Sequence, residues 1–221
     1  MKKITVFAAA VLMAWTARSG LAVSPCTTGT LADYVSNGET GCLIGATSFV
    51  DFEYEQSNSD NLIPAQDIIV TPILDPNHPG FTFTVSSASA ASWLVPAGHS
   101  YQATIHFVLQ QTFPKGEPVL AVQQAQLGVS GGQFEGGELL VDSPGCLRGF
   151  LPCAESRPSV DSGIPIDMQV SLTPGLSETS FPGTTESIGE QINITVAGPS
   201  SGATPTGFTT INLQYVLTTL L

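Results

Sequence analysis

Three carboxylates, Asp51, Glu53 and Glu55, stand at every second position in "SFVDFEYEQSNSDN", residues 48–61. The run then enters a polar stretch in which Asp60, flanked by Asn58 and Asn61, offers further oxygens. Oxygen-rich loops of this kind suit calcium, which gathers about six to eight oxygen ligands. On a strand, however, successive same-face side chains lie ~7 Å apart, too far to share one ion unless the loop folds back. Val50, Phe52 and Tyr54 alternate with the acids and are expected to point to a core. The ladder therefore reads as the wet face of a strand, with Asp51, Glu53, Glu55 and Asp60 retained as calcium candidates. No other cofactor is implied.

Other stretches imitate catalytic motifs without their context. Gly128-Val129-Ser130-Gly131-Gly132 has the G-x-S-x-G spacing of a nucleophile elbow, which requires a strand before the serine and a helix after it. Here "QFEGGELLVD" follows, a loop and then a strand, and His78, His99 and His106 all precede Ser130. A hairpin loop is the expected structure. Asp161-Ser162-Gly163 matches the aspartic-protease turn but has no second copy to share a proton with, so it reads as a turn stabilised by its own aspartate. The histidines lack metal-ligand spacing: His106 falls on the polar side of its strand, and His78 and His99 fall in turns. Asn193-Ile194-Thr195 fits a glycosylation sequon but lies within a strand pattern. No residue is assigned to catalysis.

One segment suits recognition. "DSPGCLRGFLPCAESR" sets Leu147, Arg148, Phe150 and Leu151 between Cys146 and Cys153. A disulfide there would lower the ordering cost of binding. The competing reading is packing, with Phe150 and Leu151 tucked under the loop to cap the core.

Strands must position all of these groups. Period-two alternation recurs at 81–85, 101–110, 166–172, 192–196 and 211–217, each run having one apolar and one polar face. Further strands are expected near 46–55, 67–74, 118–128 and 137–142, with Gly- and Pro-rich turns between them. Ser, Thr, Pro and Gly crowd 173–189 and 198–207, which are expected to be long loops. Thr30 can cap one short helix, Asp33 can complete its capping box, and Gly38 can end it. The fold class is all-β: an antiparallel sandwich, jelly-roll-like, with one short N-terminal helix.

The N-terminus supplies an address. Lys2 and Lys3 precede an apolar run from Ile4 to Ala17, and Gly20-Leu21-Ala22 closes it with small residues. That is a secretory signal peptide, residues 1–22, with cleavage after Ala22 and a single β-domain over 23–221. Cleavage leaves Lys115, Arg148 and Arg157 against 18 acidic residues, a net charge of −15. Such a surface repels nucleic acid and anionic lipid, and no later apolar stretch anchors the mature chain in a membrane. Cys26, Cys42, Cys146 and Cys153 are an even set in an oxidising compartment. Three pairings are possible; the two that close short loops, Cys26–Cys42 and Cys146–Cys153, are favoured.

The stretch "CTTGTLADYVSNGETGCLIGATSFVDFEY", Cys26 to Tyr54, resembles a group of exported bacterial proteins whose mature parts open in this way. The shared features are a leading cysteine, a Leu-x-x-Tyr helix, Gly-Cys-x-Ile-Gly and an F-x-x-F strand, here Leu31, Tyr34, Gly41, Cys42, Ile44, Gly45, Phe49 and Phe52. Many members carry a PEP-CTERM sorting tail. This sequence runs to Thr218-Thr219-Leu220-Leu221 without one, which implies free release. The resemblance implies export and brings no activity with it. The expected function is non-catalytic binding of an extracellular ligand or surface component, or a structural role there. The alternative is a secreted carbohydrate-active hydrolase, for which Asp51, Glu53, Glu55, Glu135 and Glu138 would have to converge.

Overall fold

A computed structural model describes residues 23–57, 62–86, 93–111, 119–131, 138–147, 165–171, 176–185, 187–202 and 204–220. In chain order the elements are β1 (Gly29–Thr30), α1 (Leu31–Asn37), β2 (Cys42–Ile44), β3 (Thr47–Gln56), β4 (Ile68–Ile73), β5 (Gly80–Val85), β6 (Leu94–Val95), β7 (Ser100–Gln111), β8 (Val119–Ser130), β9 (Glu138–Leu147), β10 (Pro165–Ser171), β11 (Leu176–Thr185), β12 (Ser187–Ala197), β13 (Thr206–Gly207) and β14 (Thr210–Leu220). Short 3₁₀ turns follow α1 and precede β4.

The strands form two six-stranded sheets, ordered β1-β4-β5-β14-β8-β11 and β10-β9-β12-β7-β3-β2, with β13 and β6 making a separate ribbon. Every pairing between named strands is antiparallel. Alternation decides what each strand hides. Phe81 and Phe83 of β5, Leu213 and Tyr215 of β14, Ile105 and Phe107 of β7, and Ile192 and Ile194 of β12 all turn into one continuous core. The sheets meet face to face there: the ring of Phe81 meets those of Phe49 and Phe52 edge-on at 4.7 Å and 5.5 Å. The fold is the expected sandwich of antiparallel sheets with one short helix.

Helix α1 is built as its sequence requires. Thr30 accepts a hydrogen bond from the Asp33 backbone N–H, and the Asp33 carboxylate accepts from the Thr30 backbone N–H at 2.8 Å, a complete capping box. Those bonds hold the Asp33 carboxyl below its ordinary range. Gly38 ends the helix at φ 50°, and Leu31 and Tyr34 form its buried face. A disulfide joins Cys26 to Cys42 across 16 residues and ties the helix to β2. The chain before the helix runs beside the sheet edge, with Cys26 N–H donating to the Leu43 carbonyl and Leu43 N–H to that of Ser24. Gly41 permits the close approach of the helix exit to β3: its φ is 56°, and a Cβ there would lie 2.0 Å from the Phe49 carbonyl oxygen.

Three expectations are corrected. The stretch 173–189 is not one long loop, because β11 occupies 176–185 and β12 begins at Ser187. β11 lies at a sheet edge, where Pro182 is tolerated, and its pairing with β8 is interrupted between Ser180 and Thr185. The segment after Ser130 is not a hairpin, because β8 and β9 belong to different sheets. Within β3, Phe49 rather than Val50 enters the core, for a reason that lies in the acidic ladder.

Candidate functional site

The ladder sits on β3 in the second sheet, between β2 and β7. Asp51, Glu53 and Glu55 are all exposed. The register slips by one residue between Val50 and Glu53, so that Asp51 and Phe52 together oppose Phe107. Asp51 adopts the left-handed conformation that this bulge requires, at φ 55°. The phase of the strand reverses there. Phe49 and Phe52 both face inward, while Val50 is packed outside the core beside Val108. The three acids therefore do not make one regular column.

Glu53 and Glu55 start rows that cross the outer face of this sheet. Glu53 lies opposite His106, which lies opposite Gln191; Glu55 lies opposite Thr104, which lies opposite Asn193. Thr104 donates from Oγ1 to Asn193 Oδ1 at 3.2 Å, and Gln191 Nε2 donates to the same oxygen at 2.7 Å. Asn193 is thus held within the sheet face. The arrangement presents carboxylate, imidazole, hydroxyl and amide groups side by side, a surface suited to hydrogen-bonding a polar ligand. Among the described residues no group of three or more His, Cys, Asp or Glu side chains is placed to hold a metal ion.

Tyr54, between the two glutamates, turns inward and bonds to the backbone at Ile63. Its hydroxyl donates to the Ile63 carbonyl at 2.7 Å and lies 2.9 Å from the Tyr101 hydroxyl. A phenol has one hydrogen to give, so Tyr101 is the donor between the two rings. Gln56 Nε2 also donates to the Tyr54 hydroxyl and the Ile63 carbonyl. Burial pushes both phenols above their ordinary range.

The sandwich also encloses a pair that the sequence reading did not single out. Glu190 on β12 is completely buried, and Tyr215 on β14 of the opposite sheet donates its hydroxyl to Glu190 Oε2 at 2.8 Å. Burial raises the Glu190 carboxyl to about 8 and drives the Tyr215 phenol well up, so the pair is neutral at pH 7. Glu190 continues the inward phase of Ile192, Ile194 and Val196 by one more step, which was its available signal.

The remaining candidates separate. His106 is half-buried on the outer face of β7, whereas His78 and His99 are exposed in turns. His78 Nδ1 lies 2.9 Å from Asp75 Oδ2, and Asn77 N–H also donates to the Asp75 carboxylate. Those bonds, the backbone one first, hold Asp75 below its usual range. Ser130 ends β8 on the surface, and its carbonyl accepts from the Thr209 N–H. The expected signal segment 1–22, Asp60, Glu135, the expected turn at Asp161, Cys153 and the candidate binding residues Arg148, Phe150 and Leu151 lie outside the described residues. So does any Cys146–Cys153 bond; Cys146 and Leu147 are placed by backbone only, at the end of β9. Among the described residues no helix is long and apolar enough to cross a membrane. No family model and no curated protein matches the chain.

Proposed function

We propose that this protein works outside the cytoplasm as a non-catalytic module that binds an extracellular ligand or serves as a structural component. The observation that carries this reading is how its acidic groups are divided. Asp51, Glu53 and Glu55 are spread along a solvent-facing strand. Glu190 is sealed between the sheets, where no substrate reaches it. Enzymes of sandwich architecture need two such groups converging on one accessible point. Export is supported by the buried Cys26–Cys42 bond, a linkage of oxidising compartments, and by the signal-like N-terminus.

The outer face containing Glu53, His106, Thr104 and Asn193 is the best binding surface for a hydroxyl-rich ligand such as a polysaccharide. The test is a panel of soluble and insoluble polysaccharides, scored both for retention of the protein and for release of reducing ends. Retention weakened several-fold by Glu53→Gln with Glu55→Gln, without product release, is expected. Turnover that those same substitutions abolish would establish the hydrolase instead.

A further inference from the structure

Charge is divided unequally between the two sheets. In the second sheet β3, β7, β9, β10 and β12 each carry at least one Asp, Glu or His. In the first sheet β4, β5, β14 and β8 lie side by side and carry none, nor any Lys or Arg. The chain as a whole has a net charge of −12. Alternate residues of these four strands, Val70, Phe83, Leu213 and Leu127 among them, belong to the core. The others form an outer face of hydroxyl, amide and aliphatic side chains. Thr71 lies opposite Thr82, Thr82 lies opposite Asn212, and Gln214 follows two residues along β14. Thr71 is exposed, and Thr82, Asn212 and Gln214 are half-buried. Among the described residues, acidic groups return at the margins: Asp67 just before β4, Asp75 just after it, and Glu178 on the edge strand β11.

A charge-free centre inside a charged margin is the compositional mark of a protein interface, whose core is depleted in charged residues. We infer that this outer face is where two copies of the chain associate, sheet against sheet, about a two-fold axis. Over most of their surface two chains of this net charge repel each other. Here they can approach without setting carboxylate against carboxylate. A two-fold contact brings one surface against itself, so its groups must be self-complementary. Amides and hydroxyls meet that requirement, since each both donates and accepts. Thr82 Oγ1 donates to Asn212 Oδ1 at 2.7 Å, which occupies that oxygen and leaves the Asn212 NH₂ group to donate to the partner copy. A charged partner, by contrast, would find no counter-charge on this face. From Thr210 to Val216 β14 extends ~20 Å, and four strands ~4.8 Å apart are about as wide, so the face offers roughly 400 Å². A stable interface of standard size uses about 800 Å² per partner. The dimer is therefore weak and reversible.

The experiment is sedimentation equilibrium of the purified chain over a wide range of concentration, at low and at high salt. A monomer–dimer equilibrium is expected, and it should tighten several-fold as salt screens the net charge. Gln214→Glu keeps the shape of the side chain but sets a carboxylate on this face in both copies, and should weaken the dimer by about tenfold or more. Thr40→Glu adds the same charge on the exposed turn after α1 and should leave the dimer nearly unchanged. Should Gln214→Glu fail to fold, Thr71→Glu makes the same test from an exposed position of the face. A chain that stays monomeric at millimolar concentration in high salt overturns the proposal. So does a dimer that salt dissociates, or one that Thr40→Glu weakens as much as the substitutions on the face. Retention on a neutral polysaccharide, abolished by Gln214→Glu in a chain that is monomeric throughout, would assign the face to that ligand and not to a second copy.

Discussion

Asp51 is the one non-glycine residue with positive φ among those described, at 55°. Aspartate tolerates this conformation because its short polar side chain can bond locally, whereas a bulkier residue meets its own carbonyl at a cost of ~1–2 kcal/mol. Asp51→Gly should leave stability unchanged or slightly raised, while Asp51→Val should lower it by ~1–2 kcal/mol in denaturant unfolding. A valine variant as stable as the wild type would show that the bulge carries no strain. The same residue explains what the sequence concealed. Val50, Phe52 and Tyr54 form an unbroken alternation, so nothing in the pattern announces that one extra residue is inserted and that Phe49 takes the core position. Glu190 was concealed differently. A glutamate marks the end of an apolar run for any reading based on hydropathy, and the hydroxyl it accepts in the core comes from a strand 25 residues later.

At the scale of elements, local chemistry was legible and partnership was not. The Thr30–Asp33 box and the Gly38 stop involve residues within one or two turns, and both stand where the sequence puts them. Most strands likewise follow their own alternation. β11 did not declare itself, since its Ser, Thr, Pro and Gly composition reads as loop and becomes a strand only by lying against β8. The Cys26–Cys42 bond belongs with the legible features. Both cysteines are buried in the core, at 3% and 6% exposure, so the bond closes its loop without a solvent path for reductants. For a loop of this length the chain-entropy account assigns ~3 kcal/mol. The double variant Cys26→Ala with Cys42→Ala should lose about that much in urea unfolding; a loss below ~1 kcal/mol would mean that packing around α1 holds the segment unaided.

At the scale of the whole molecule, backbone pairing among the described residues starts close to the proposed cleavage point: Ser24 and Cys26 already bond to Leu43. If the chain is exported as proposed, the mature protein should start at Val23, which leaves these bonds intact. N-terminal sequencing of material from the medium checks this, and recovery of chains beginning at Met1 would contradict it. The order of strands has a further bearing on how such a molecule comes into being. β14 lies between β5 and β8 in the middle of its sheet, and Thr82 and Asn212, hydrogen-bonded across that seam, are 130 residues apart in the chain. Pairings of so long a range are slow to form, because the intervening chain must first be confined. A ribosome makes β5 and β8 long before β14, so this sheet has a gap at its centre until residues 210–220 have been synthesised. Translation therefore runs far ahead of assembly, which would suit the export proposed above, since a chain that threads through a narrow pore must do so before it acquires a shape too wide to pass.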